Sequence, residues 1–222
     1  EPATFDDVVR QILLIEKHTR DEKTGLLFHA WDESKGQRWC NPVTGCSQYF
    51  WGRGIGWFVM ALVDVLDHLP QEQARRQDLI AVLDRTARAL VRVQDEGTGL
   101  WYQILDLPYR KGNYLEASAS AMFVYAFAKG VRAGYLPKDF LFSASRGYQG
   151  LLKSLIKIDA QGLLTLEKVC GAAGLCGYPY RDGSFEYYVT EKIVPNDPKG
   201  VGPFILAALE IERAGANGGI ME

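Results

Sequence analysis

The stretch Ser47-Gln48-Tyr49-Phe50-Trp51-Gly52-Arg53-Gly54-Ile55-Gly56-Trp57 is the densest in residues that can do chemistry. Aromatic faces suit the flat C–H side of a sugar ring. A fixed guanidinium holds a carboxylate through two parallel hydrogen bonds. Trp51 and Trp57 bracket Arg53, a pattern that fits an acidic sugar. Glycines at the start of an apolar helix each cost about 1 kcal/mol relative to alanine, so backbone or ligand is expected to come close there. The same residues also read as two core tryptophans and an arginine capping a neighbouring helix.

A second group is His29-Ala30-Trp31-Asp32. His29 lies on a short extended piece, where a lone histidine is either a ligand contact or a satisfied structural residue. His18 and His68 fall on helices elsewhere. The pairs Cys40/Cys46 and Cys170/Cys176 are spaced more widely than zinc-binding cysteines. No metal site is predicted. The thiols read as buried or idle, with a Cys46–Cys170 contact left open. Glu116, in Asn113-Tyr114-Leu115-Glu116-Ala117-Ser118, opens an apolar helix, whose N-terminus favours a carboxylate. It is expected to point to the mouth of the fold, where it binds a sugar hydroxyl or caps the helix. Asp182 and Glu186 are further carboxylates in the aromatic loop from Gly174 to Tyr188.

Six helices are predicted to position these residues. Residues 4–19, 73–95 and 138–157 carry one apolar stripe each and read as surface helices. Residues 55–69, 117–131 and 201–211 are apolar nearly all round and are expected to be buried on every side. Outer and inner helices therefore alternate. Each outer helix runs into a Gly-Leu turn and an extended stretch. Gly25-Leu26-Leu27-Phe28-His29 matches Gly99-Leu100-Trp101-Tyr102-Gln103, with a weaker copy at Gly162-Leu163-Leu164. The fold class is thus all-α, an α/α toroid in which residues 1–222 form one domain of three outer/inner hairpins. Three hairpins do not close a ring. The exposed inner-helix faces predict either self-association or a missing part of the toroid.

Composition narrows the partners. Lys plus Arg number 25 and Asp plus Glu 27, a net charge of -2, without the basic bias of nucleic-acid binders. The apolar run from Trp57 to Val63 ends at Asp64, well short of the ~20 residues needed to cross a bilayer. The opening Glu1-Pro2-Ala3-Thr4 passes straight into a helix and reads as a start inside a fold.

The ordered strings His29-Ala30-Trp31-Asp32, Trp51-Gly52-Arg53-Gly54-Ile55-Gly56-Trp57, Asn113-Tyr114-Leu115-Glu116-Ala117-Ser118-Ala119-Ser120 and Arg181-Asp182-Gly183-Ser184 together resemble the unsaturated rhamnogalacturonyl hydrolases of glycoside hydrolase family 105, relatives of the family 88 unsaturated glucuronyl hydrolases. The resemblance implies the C-terminal portion of a six-hairpin α/α toroid. It implies a small oligosaccharide substrate from pectin that ends in a C4–C5 unsaturated uronate, attacked by hydration of its double bond without metal or cofactor. His29, Trp51, Arg53 and Trp57 would line the substrate pocket, with Asp32, Glu116 and Asp182 as secondary candidates. The family's general-acid aspartate matches a place upstream of Phe5, so no catalytic residue is assigned. A cytoplasmic location follows from relatives that act on imported oligosaccharides. A carbohydrate-binding remnant and a helical scaffold without catalysis stand as alternatives.

Overall fold

The computed structural model describes residues 2–216. The elements are α1 (Pro2–Thr19), α2 (Gly52–His68), α3 (Arg76–Arg92), α4 (Ala117–Arg132), α5 (Phe140–Ser154), β1 (Ile156–Ile158), β2 (Leu164–Leu166), α6 (Phe185–Thr190) and α7 (Pro198–Ala216). Inner helix α4 packs between inner helices α2 and α7, while α1, α3 and α5 lie outside them. One hydrophobic core runs through both layers, from Val9 on α1 to Ile211 on α7. The three predicted hairpins are present. None of the described helices is long and apolar enough to cross a membrane.

Only α4 is buried all round, with every residue from Ala117 to Gly130 inside. The expectation of full burial fails for α2 and α7. Trp57 and Ala61 are exposed on α2, as are Ile205, Leu206 and Leu209 on α7. The reason is the open arc: α4 has an inner neighbour on each side, whereas α2 and α7 have one each. Two boundaries also differ. Leu155 ends α5 and the chain turns into the antiparallel β1–β2 pair, so the predicted helix 138–157 stops early. Within the aromatic loop a short helix forms, α6, capped by the Ser184 hydroxyl, which accepts from Tyr187 N at 3.1 Å.

The repeated turns share an anchor that the Gly-Leu match alone does not show. Asp21 Oδ2 accepts from Thr24 N and Oγ1 at 2.8 and 2.7 Å, and Gly25 N donates to Asp21 O. Asp95, Thr98 and Gly99 reproduce the pattern at 2.9 and 2.6 Å. Asn41, Thr44 and Gly45 form a variant in which Asn41 Oδ1 accepts from Val43 N and Thr44 N. Each of these glycines has a positive φ, 73° at Gly25, 75° at Gly99 and 80° at Gly45, where side chains with a Cβ are strained. The turns reverse the chain so that the following extended segments cross the N-terminal ends of α2 and α4. Trp51 bridges Ile104, Tyr102 bridges Leu115, and Gly52 N donates to Gln103 O at 2.9 Å.

Gly99 also abuts α5: a Cβ there would lie 2.5 Å from the Arg146 carbonyl oxygen. Gly134 has the same φ of 75° with nothing within 4 Å. Gly134→Ala should therefore cost only the left-handed strain, about 1 kcal/mol. Gly99→Ala should cost about 3 kcal/mol or more, because backbone must move. Urea unfolding of the two variants measures the difference, and equal losses would refute the close approach.

Candidate active site

The site forms where the N-terminal ends of the inner helices meet the extended segments. Trp51 is the N-cap residue of α2, in extended geometry and 5% exposed. Its indole Nε1 donates to Gln103 Oε1 at 3.2 Å, and its ring stacks on Tyr188 with centroids 6.2 Å apart. His29 completes this wall, 4.6 Å from the Trp51 ring, with Nδ1 2.6 Å from the Tyr188 hydroxyl. The Arg53 guanidinium carbon sits 5.1 Å from the Trp51 ring centre, within range for a cation–π contact.

Arg53 is buried, 1% exposed, the second residue of α2. Its Nη1 donates to the Cys170 carbonyl and lies 3.4 Å from Ser118 Oγ. Among the described residues its Nη2 and Nε make no hydrogen bond. Below it, Glu116 is fully buried. Ser118 Oγ, 2.8 Å from both carboxylate oxygens, donates to it, as do Ala119 N at 2.7 Å and Cys170 N at 2.9 Å. Cys170 therefore receives Arg53 on its carbonyl and gives its N–H to Glu116. Gln103 Nε2 adds donations to Cys170 Sγ at 3.2 Å and Tyr188 O at 3.1 Å. The Tyr114 hydroxyl is buried without a partner among the described residues. Burial, with Cys170 and Glu116 nearby, pushes its pKa well up.

The three glycines of α2 divide by cause. A Cβ on Gly56 would strike Met122 Sδ at 2.6 Å, and one on Gly52 would meet Ala119 Cβ at 3.0 Å. These two admit α4. A Cβ on Gly54 would lie 3.3 Å from the Trp51 ring and 3.5 Å from His29, so it belongs to the aromatic wall.

The sequence profile of Glycosyl Hydrolase Family 88 matches residues 1–215. The chain belongs to that family. A family 105 glycoside hydrolase from C. acetobutylicum is 51% identical and superposes with a TM-score of 0.94 over 96% of this chain. The chain covers 59% of that enzyme's length. Protein Atu3128 of Agrobacterium fabrum is 40% identical over 217 residues, 94% of this chain and 91% of that protein. The Bacillus subtilis unsaturated rhamnogalacturonyl hydrolase YesR is 38% identical over 117 residues, 53% of this chain and 31% of its own length. The α/α toroid of the family accounts for the alternation of inner and outer helices.

In this family member the candidate residues do not all converge. His29, Trp51 and Arg53 form one cluster. Trp57 follows one turn after Arg53 but is 46% exposed, outside the aromatic wall. Glu116 does not point to the mouth as expected. Three donors draw it inward to cap α4 and hold residue 170. Asp32 is half-buried and accepts from Gln37 N, Ser34 and Gly36 N, which lower its pKa and bind it to its own loop. Asp182 accepts from Ser184 N at 2.9 Å, which lowers its pKa likewise, and it steadies the start of α6. Glu186 pairs with Arg110 at 2.9 Å on the surface. All four cysteines are free. Cys46 donates to His18 O and Cys170 accepts from Gln103, so the two make separate contacts. Gln103, Ser118, Cys170 and Tyr188 were not among the candidates. Gln103 had a signal, since the repeat alignment sets it at the place of His29.

Two predictions follow from this geometry. Glu116→Gln places an amide N–H₂ against one of two buried backbone N–H donors. It should destabilise the fold by about 2–3 kcal/mol, read as a lowered thermal midpoint; an unchanged midpoint would mean that Glu116 does not hold this junction. His29 is the second case. Burial, with the Arg181 charge adding to it, lowers its pKa from 6.5 to about 4, so the ring is neutral at pH 7. Between those values the unfolded chain binds a proton that the folded chain does not. Stability is full above pH 6.5 and falls as pH drops toward about 4, by about 3 kcal/mol. His29→Asn should remove that part of the slope in urea unfolding measured across the same window; identical slopes in both proteins would show that His29 is freely protonated in the fold.

Proposed function

We propose that this chain supplies the uronate-binding portion of a hydrolase site acting on unsaturated galacturonyl-rhamnose oligosaccharides derived from pectin. The observation that supports it best is the Arg53 guanidinium. It is held on one prong by Cys170 O, walled by Trp51, and leaves Nη2 and Nε without protein partners among the described residues. A second prong unpaired within the fold, beside an aromatic face for the sugar ring, matches the chemistry of a uronate. Neutral His29, fixed by Tyr188, adds a hydrogen-bonding group without repelling or attracting the acid charge. The name carried by the Bacillus relative, over the 117 matched residues, supports the same substrate class. Import of such oligosaccharides would place the reaction in the cytoplasm.

The chemistry is a hydration. A carboxylic acid protonates C4 of the unsaturated uronate and water adds its oxygen to C5. The resulting hemiketal opens and releases the neighbouring sugar. None of the three candidate carboxylates is free to serve as that acid. Glu116 is buried and engaged with three donors, while Asp32 and Asp182 are each held by neighbouring N–H groups. This commitment of the carboxylates also favours a second reading, in which the chain on its own binds the sugar without turning it over.

One assay separates the outcomes. The C4–C5 double bond of an unsaturated rhamnogalacturonan disaccharide absorbs in the ultraviolet. The chain alone should bind the disaccharide and leave the absorbance intact, with Arg53→Gln weakening binding about 10- to 100-fold. A chimera that adds the remaining hairpins of the C. acetobutylicum relative should abolish the absorbance, since a placed acid contributes about 10²–10⁴-fold. Loss of absorbance with the chain alone would place a proton donor within it. Absence of binding at millimolar disaccharide would overturn the uronate reading.

A further inference from the structure

The two ends of the arc are apolar, and they differ from each other. Gly52 and Gly56 turn toward α4, so helical spacing puts Gly54, Phe58, Ala61 and Val65 on the opposite flank of α2. Ala61 is exposed there, and Phe58 and Val65 are half-buried. On α7, Glu210 pairs with Arg132 of α4 and Phe204 stacks on Tyr148 of α5. The flank turned away from both carries Val201, Ile205 and Ala208, with Ile205 53% exposed. A flank of small residues around Ala61 thus ends one side of the arc, and a flank of bulkier aliphatic residues around Ile205 ends the other.

We propose that a second copy of this chain covers both flanks at once, closing a six-hairpin ring from two three-hairpin arcs. Inner helices run parallel around the toroid, so a two-fold axis along the ring axis sets α7 of one copy beside α2 of the other, twice. Such an axis leaves the height of each residue along the ring unchanged, and the heights can be read from the ion pairs. Lys129 Nζ meets Asp64 Oδ1 and Asp67 Oδ2, both at 2.7 Å, and Arg132, almost one turn further, meets Glu210 Oε2 at 2.6 Å. Ile205 therefore stands within about one turn of the height of Ala61, Ala208 of that of Val65, and Glu212 of that of His68. Bulky meets small, apolar meets apolar, and the carboxylate of Glu212 meets an imidazole. Both of the latter groups are exposed in one copy. Closed rings are what head-to-tail surfaces form when their rotation closes, and three hairpins leave no remainder from six. This chain matches the Agrobacterium relative over 91% of that protein's length, an extent that holds three hairpins and not six.

Sedimentation and disulfide trapping test the inference together. The 222-residue chain at tens of micromolar should sediment at twice its 24.8 kDa mass, and Ala61→Arg should return it to the single-chain mass. In a background of Cys40→Ser and Cys176→Ser, the double variant Ala61→Cys/Ile205→Cys should form a covalent dimer on oxidation, with no larger species. Ala61→Cys alone and Ile205→Cys alone should form none, because like positions lie across the ring from each other. A single-chain mass for the unsubstituted protein would overturn the proposal. So would cross-linking by either single variant, which would signal a face-to-face pair, or a ladder of trimers and larger species, which would signal an open chain of copies.

Discussion

The buried carboxylate of Glu116 is the junction on which fold and site both depend. A carboxylate without solvent must have its oxygens met by donors, or it destabilises the fold by several kcal/mol. Here Ser118, Ala119 N and Cys170 N meet them. Two of those donors belong to the first turn of α4, and the third belongs to a segment more than fifty residues away. Meeting the charge therefore caps the central helix and docks residues 168–170 onto it, with Ala117 N adding a bond to Lys168 O at 3.0 Å. The Cys170 carbonyl then receives Arg53. A cation and an anion are held apart by one peptide group and one hydroxyl, each of which contacts both. Site geometry is in this way a consequence of satisfying the core.

The aromatic side of the site is built by the turns. Because Gly25 and Gly99 reverse the chain at a left-handed φ, the residues four positions later, His29 and Gln103, arrive at the mouths of α2 and α4. Gln103 bonds the Trp51 indole, Cys170 and the Tyr188 carbonyl. It thereby joins α2, the 168–170 segment and α6 into one rigid wall. His29 occupies the equivalent place in the first turn, and its partner is the Tyr188 hydroxyl. Burial costs a charged imidazole more than a neutral one, so the enclosure that orders this ring also keeps it uncharged.

Much of this was legible in the sequence. The 3.6-residue periodicity of α1 and α3, and its absence in α4, follow from which side chains must avoid water, so these helices and their layers could be read directly. The Gly-Leu repeat was legible because a positive φ leaves glycine as its mark. Contacts between distant residues left no such mark. Cys170 reads as an idle thiol because its backbone makes the contacts to Glu116 and Arg53, and backbone has no sequence signature. Glu116 was correctly placed at a helix start, but its direction was set by Cys170 N, which only the tertiary fold supplies. Asp32 and Asp182 look like free carboxylates in a string of letters. In three dimensions each is taken by N–H groups two to five residues downstream, a local competition that composition conceals.

The composition of α2 and α7 carries one further consequence. Both helices have the all-round apolar character of enclosed segments, yet each shows a wet flank in a single copy. Ile205 and Leu209 stand one turn apart, both exposed, on α7, and a contiguous apolar flank of this kind marks a surface made to be covered. The binding wall, by contrast, is closed within the arc: Gln103 bonds Trp51, the Cys170 carbonyl receives Arg53, and Tyr188 meets His29. In the function proposed above, such an arc holds a uronate without a carboxylate free to give up a proton, because Glu116, Asp32 and Asp182 are each already met by N–H or O–H donors.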